Sequence, residues 1–268
     1  MRPLIVALLL VFSSGTLHAQ EMKMAVTTSF HNSGLSDILL PEIKKDIGLD
    51  VLLIVVGTGQ ALRLGRAGDV DAILMQYNSA EEKIVDEGFG TQRREIMYND
   101  FVFVGPKDDP AMVAAAEDAI GAMNAISKEQ SVFVSRGDDS GTHKKELSLW
   151  QLTDLQPETF SPKWYRSVGS GMGATLNTAS GLNAYVMSDR ASWLKFKNKG
   201  DLELLFASDP ALFNQYAFLP VNPRKHTHVK NDLALSWEAW LTSEKGQAMI
   251  GAYTVNGERL FTPNAQRK

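Results

Sequence analysis

The run Val51-Leu52-Leu53-Ile54-Val55-Val56-Gly57-Thr58-Gly59 decides the fold class. Its unbroken apolar, largely β-branched start is the pattern of a parallel strand buried on both faces, since a half-exposed strand alternates apolar and polar residues. The glycines mark a turn, and a short helix is expected from Gln60 to Gly65. Upstream, Met22 to Ser29 reads as a strand. Leu35, Ile38, Leu39, Ile43 and Ile47 then keep helical spacing, with Gly48 closing the helix and Pro41 marking a kink or a late start. Downstream, Val70 to Met75 is a further apolar strand. Strands and helices in this alternation make a parallel sheet with helices on its faces.

The same alternation continues along the chain. Phe101 to Val104 is a strand ending in Gly105-Pro106, and Asp108-Asp109-Pro110 opens an alanine-rich helix running to about Gln130. Strands are expected at Val132 to Ser135, Ala184 to Met187, Leu202 to Phe206 and Gln215 to Val221. Helices are expected at Ser140 to Leu152, at Ala174 to Ala179 and from Asp189. A final amphipathic helix carries Leu233, Trp237, Trp240 and Leu241. The pattern predicts two α/β lobes with crossings near Asn99 to Gly105 and Leu202 to Gln215. The expected division is residues 20–103 for the first part of lobe 1, 104–208 for lobe 2 and 209–268 for the rest of lobe 1.

The 268 residues include 27 basic and 31 acidic ones, a formal charge of −4, which excludes the strongly cationic surface typical of nucleic-acid binding. There is no cysteine, so thiol catalysis, disulfides, cysteine zinc sites and iron–sulfur clusters are excluded. Residues 1–19 read as a signal peptide: Arg2, then the apolar run Leu4 to Phe12, then Leu17-His18-Ala19 with cleavage after Ala19. The run is too short to span a bilayer, and no cysteine is available to carry a lipid. A soluble, exported protein is expected.

Small hydroxyls collect at the predicted strand ends. Thr27, Thr28 and Ser29 end the first strand, and Thr58 and Gly59 follow the second. Ser135, Arg136, Ser140, Gly141 and Thr142 end a strand in the other lobe and run into a helix. Ligands of open α/β sheets bind outside the carboxyl ends of the strands, and helix N-termini there present free N–H groups. Hydroxyls, N–H groups and one arginine converging at such a place make an anion site. Taken singly, Ser140 is an ordinary helix cap and Arg136 a surface partner for Asp138 or Asp139. Arg190, after Ser188-Asp189, either faces the cleft or pairs with a neighbouring acid. Gly57-Thr58-Gly59 is half of a dinucleotide fingerprint, but Leu62 stands where its third glycine would be, and no cofactor is expected.

At these residues the chain resembles a known family. The segments VTTSFHNSGLSDILLPEIKKDIGLDV, VVGTGQALRLGRAGDVDAIL, YNDFVFVGPKDDPA, SRGDDSGTHKKELSLW and SDRASWL are similar to the tungstate-binding periplasmic proteins of ABC importers. SRGDDSGTH and VGTGQAL are the most specific parts. Arg136-x-x-x-Ser140-Gly141-Thr142 is also similar to the anion loop of phosphate-binding proteins. The resemblance implies a two-lobed α/β fold of the type II periplasmic-binding-protein kind, with two crossover strands and a central ligand cleft. It implies a non-enzymatic, monomeric periplasmic carrier that passes tungstate or molybdate to a membrane permease with its ATPase. Where the family often has a histidine, this chain has Gln76.

The alternatives differ chemically. Tungstate and molybdate carry no proton at neutral pH, so their pocket should offer donors only. Phosphate keeps one and favours a carboxylate acceptor, for which Asp69, Asp71, Asp138 and Asp139 are candidates; sulfate is a further alternative ligand. A secreted hydrolase would need Ser140 and His143 to act together, yet they lie three residues apart on one helix. Gly169-Ser170-Gly171-Met172-Gly173 has its serine one place early for a nucleophile elbow. His226-x-His228 with Asp232 is too sparse for a metal cation, and no cation site is expected.

Overall fold

The computed structural model describes residues 20–265, and the expected signal peptide lies outside them. The elements are β1 (Gln20–Thr27), α1 (Thr28–Ser33), α2 (Ser36–Ile47), β2 (Leu49–Val56), α3 (Thr58–Ala67), β3 (Ala72–Met75), α4 (Asn78–Asp86), β4 (Arg94–Pro106), α5 (Ala119–Glu129), β5 (Phe133–Ser135) and α6 (Gly141–Leu152). They continue with β6 (Tyr165–Ser167), α7 (Met172–Leu182), β7 (Tyr185–Asp189), α8 (Arg190–Lys195), β8 (Leu202–Phe206), β9 (Phe213–Pro220), α9 (Asn231–Leu241) and α10 (Glu244–Ala252). Three two-residue strands close the described chain: β10 (Thr254–Val255), β11 (Glu258–Arg259) and β12 (Thr262–Pro263).

The strands run in the order β2-β1-β3-β9-β4-β7-β5-β6. β1 is parallel to β2 and β3, and β5 is parallel to β6 and β7. β4 joins the two halves. Its residues Arg94 to Asp100 pair with β9, and Phe101 to Val104 pair with β7, so partners change between Asp100 and Phe101. The chain returns through β8, which also pairs with β4, and then β9. The fold is the two-lobed α/β arrangement with two crossover strands.

The core follows from side-chain alternation. On β1, Met22, Met24 and Val26 enter one apolar cluster and Ala25 enters another, and all four are fully buried. On β4, Val102 and Val104 join the first cluster, while Phe101 and Phe103 join a third with Phe133 and Trp150. Both faces of these strands are covered, as continuous apolar runs require. Gly65 lets α3 lie against β3: a Cβ there would stand 2.4 Å from Ile73 Cδ1.

Several expectations are corrected. β2 is an edge strand, with Leu52 52% exposed, because β1 is its one strand partner. The helix expected from Asp108 does not form there. Met112 takes a left-handed backbone, Val113–Ala115 makes one short turn, and Asp118 starts α5 by accepting from Gly121 N. Thr28 and Ser29 open α1 instead of ending a strand, and Thr58 and Gly59 open α3 instead of lying in a turn. α9 is followed by another helix, α10, capped by Ser243. Pro41 sits inside α2, and no described helix is long and apolar enough to cross a membrane.

Candidate functional site

α1 and α3 begin where β1 and β2 end, and α6 begins after the loop 136–140 that follows β5. Thr27 is the N-cap of α1, and Gly57 that of α3; neither uses a side chain to cap. Ser140 is the N-cap of α6, and its Oγ accepts from His143 N at 3.3 Å. The first N–H groups of a helix have no partner within it, so these ends present donors and a partial positive charge. All three ends face one cleft of about 540 Å³. Thr27, Thr28, Ser29, Thr58, Gly59, Arg136, Ser140, Gly141 and Thr142 line it together.

Gln76, the residue after β3, organises one wall. Its Oε1 accepts from Thr27 Oγ1 at 2.8 Å, and its Nε2 donates to Ser29 Oγ at 2.6 Å. Thr27 thus spends its hydroxyl hydrogen inside the protein, and Ser29 Oγ, which accepts from Gln76, also lies 3.2 Å from Thr27 Oγ1. A Cβ added to Gly141 would lie 3.9 Å from Gln76 Nε2, which puts the amide opposite the start of α6.

Arg136 supplies the charge. Its Nε and Nη2 donate to Asp138 Oδ2 at 3.1 and 2.5 Å, and Asp138 Oδ1 accepts from Ser140 N at 3.2 Å. Partial burial works against the Asp138 charge, but hydrogen bonds from Ser140 and the guanidinium hold its carboxyl below the ordinary range. A guanidinium has five N–H donors, so this pairing leaves the Nη1 end for another acceptor. The remaining acids on the lining are also engaged. Asp189 accepts from Ser192 N and Oγ at 2.9 and 2.7 Å, and Asp139 pairs with Lys144. Arg63 donates to Gln60 Oε1.

Two expected residues do not reach the cleft. Ser135 is fully buried, and its Oγ donates to Glu146 Oε2 at 2.8 Å. Arg190 grips Asp100 with two bonds of 2.6 Å, beside the point where β4 changes partners. Asp71 is spent on the N–H groups of Lys23 and Lys230, and neither it nor Asp69 lines the cleft. The His143 ring accepts from Asp139 N, so it makes no nucleophile–base pair with Ser140. His226 and His228 bond to the carbonyls of Arg66 and Gly68, and no metal-ligating cluster occurs among the described residues.

Gln76, which stands where the family often has a histidine, lines the cleft, while sequence reasoning did not name Tyr77, Phe101 or Asn214 for it. Two adjoining cavities share residues with the cleft: Gln76, Tyr77 and Asn214 on one side, and Thr28, Ser29 and Arg136 on the other. The space is therefore a groove running between the halves.

A family model described as "PBP superfamily domain" matches residues 13–245. The tungstate-binding protein TupA of Peptoclostridium acidaminophilum is 44% identical over 248 residues, which are 91% of this chain and 86% of that protein. The tungstate-binding protein TupA of Campylobacter jejuni is 33% identical over 90% of each chain. Among solved structures, the tungstate-binding protein TupA from Desulfovibrio alaskensis G20 superposes with a TM-score of 0.85 at 43% identity, covering 92% of this chain and 100% of that one.

Proposed function

The chain belongs to the PBP superfamily, in the family of tungstate-binding proteins, and from that premise we propose that it binds a tetrahedral oxyanion, tungstate foremost and molybdate next, for an ABC importer. The convergence of three helix N-termini, Arg136 and several small hydroxyls on one groove carries the reading. Each oxygen of an unprotonated dianion accepts hydrogen bonds, so the proposed contacts are all donors. They are the hydroxyls of Thr28, Ser29, Thr58, Ser140 and Thr142, the N–H groups of Ser29, Gly59, Gly141 and Thr142, and the free end of Arg136. Asp138 and Asp189 each accept two or more hydrogen bonds from the protein and Asp139 pairs with Lys144, so a phosphate proton would have to share a carboxylate that already has a donor.

Binding closes the groove. α1 and α3 contact the ligand from lobe 1, and the loop before α6 contacts it from lobe 2. Hinge motion at β4 and at the passage from β8 to β9 brings them together. We place the lobes at 20–103 with 209–268, and at 104–208. The closed form is the one a membrane permease and its ATPase receive from this monomeric, periplasmic, non-enzymatic carrier.

Ligand-induced stabilisation tests this reading. Tungstate at a hundred times its Kd should add about 2.7 kcal/mol to stability. That corresponds to a rise in Tm of roughly 5 to 10 °C for a chain of this size. Sulfate and phosphate at the same concentration should raise Tm less, and a larger rise with phosphate would contradict the proposal.

A further inference from the structure

Glu146 lies five residues beyond Gly141, about 7.5 Å along α6 from the end that faces the groove. It is 2% exposed. Its Oε2 accepts from Ser135 Oγ at 2.8 Å. Its Oε1 accepts from the Tyr165 hydroxyl at 2.6 Å and from Trp150 Nε1 at 3.4 Å. All three donors are neutral, and among the described residues no arginine, lysine or histidine bonds to this carboxyl. The other groups near it are committed elsewhere. Lys145, on the same helix, donates to the carbonyl of Ala211, and Arg136, next to Ser135, pairs with Asp138. Packed against α6, α5 contributes Ala122, Met123 and Ile126 to the shared core, and β7 contributes Met187 and Tyr185, whose hydroxyl bonds to Asp109. Burial pushes the Glu146 carboxyl up to about 7, against the pull of the three donors.

We propose that Glu146 is a positioning residue of the anion site and takes up a proton when an oxyanion docks at the N-terminus of α6. The inference rests on the anion reading above. A dianion at that helix end faces a third negative charge, buried and without a cation. Protonating the carboxyl relieves the repulsion. The proton comes from solvent, and no other bond changes. Ser135 and Tyr165 can each turn from donor to acceptor by rotating a hydroxyl hydrogen, so both protonation states keep the same packing. Ser135 directly precedes Arg136, and the anion loop therefore stays anchored in either state.

His143, half-buried at the same helix end, is the competing proton acceptor. Burial pushes its imidazole down, against the attraction of Asp138 and Asp139. The test is calorimetric titration of tungstate at pH 7, in PIPES and in Tris, with the wild type and Glu146→Gln. The wild type should bind with heats that differ between the buffers, reporting uptake of a fraction of a proton, and its affinity should fall several-fold from pH 6.5 to 8. Glu146→Gln should bind with that buffer dependence lost and with a flat pH profile. Tyr165→Phe removes one donor that favours the charged carboxyl, so its uptake should move to higher pH; this variant decides the matter if the glutamine variant does not fold. Equal wild-type heats in the two buffers, or undiminished uptake in Glu146→Gln, would overturn the inference while leaving the anion reading standing. No heat with tungstate, molybdate, sulfate or phosphate would remove both.

Discussion

Arg136 shares its guanidinium between Asp138 and the groove, and that division sets how much charge a ligand receives. A charge-assisted hydrogen bond contributes about 1.5–3 kcal/mol, so Arg136→Ala should weaken tungstate binding by roughly 10- to 150-fold in an equilibrium titration. Unchanged affinity would take Arg136 out of the site. Glu146 makes a separate prediction about stability. Its carboxyl is raised from 4.5 to about 7 on folding. The stability it contributes is therefore complete below pH 4.5 and is lost as pH rises through about 7. Glu146→Gln escapes that loss. Relative to the wild type, it should gain about 3 kcal/mol between pH 4.5 and pH 8 in urea denaturation. A constant difference across that range would contradict the buried, cation-free setting. At this scale the sequence was a partial guide. Thr28, Thr58 and Thr142 follow from lying in the first turn of a helix that comes after a strand. Ser135 looks the same in sequence, but its hydroxyl turns inward because Glu146, eleven residues on, is buried behind it. No local pattern announces such a pairing.

Among the elements, α3 matters most for the geometry of the groove, because it carries Thr58 and Gly59 at its start and rests on β3 through Gly65. Gly65→Val would force a branched side chain onto Ile73, where a single Cβ already stands 2.4 Å from Cδ1. Overpacking of this kind costs about 1–3 kcal/mol. Urea denaturation should show that loss, and tungstate affinity should fall with it as α3 shifts; a variant as stable as the wild type would contradict the close packing. The alternation of strands and helices was readable from apolar runs and glycine punctuation. Two features were not. β2 has the composition of a central strand yet lies at the sheet edge, since composition does not encode strand order. The alanine-rich segment after Pro110 has helical propensity, but its capping residue is Asp118, so the helix starts late.

For the whole molecule, β4 is the element on which the halves meet. Asp100 and Arg190 pair where its partners change, and the groove opens between the helix ends on either side. The net charge of −4 does not oppose this assignment. A small dianion responds to local donors and one guanidinium, and the charge of the distant surface is screened over about 10 Å at 0.1 M salt. The two-lobed plan and the anion chemistry were both legible in sequence, whereas the engagement of Asp138, Asp139 and Asp189 by donors of the protein needed the fold. The most direct test is a calorimetric titration of the protein with tungstate, molybdate, sulfate and phosphate at pH 7. One site should take tungstate and molybdate far more tightly than sulfate or phosphate. A preference for phosphate, or no heat with any of the four, would contradict the account.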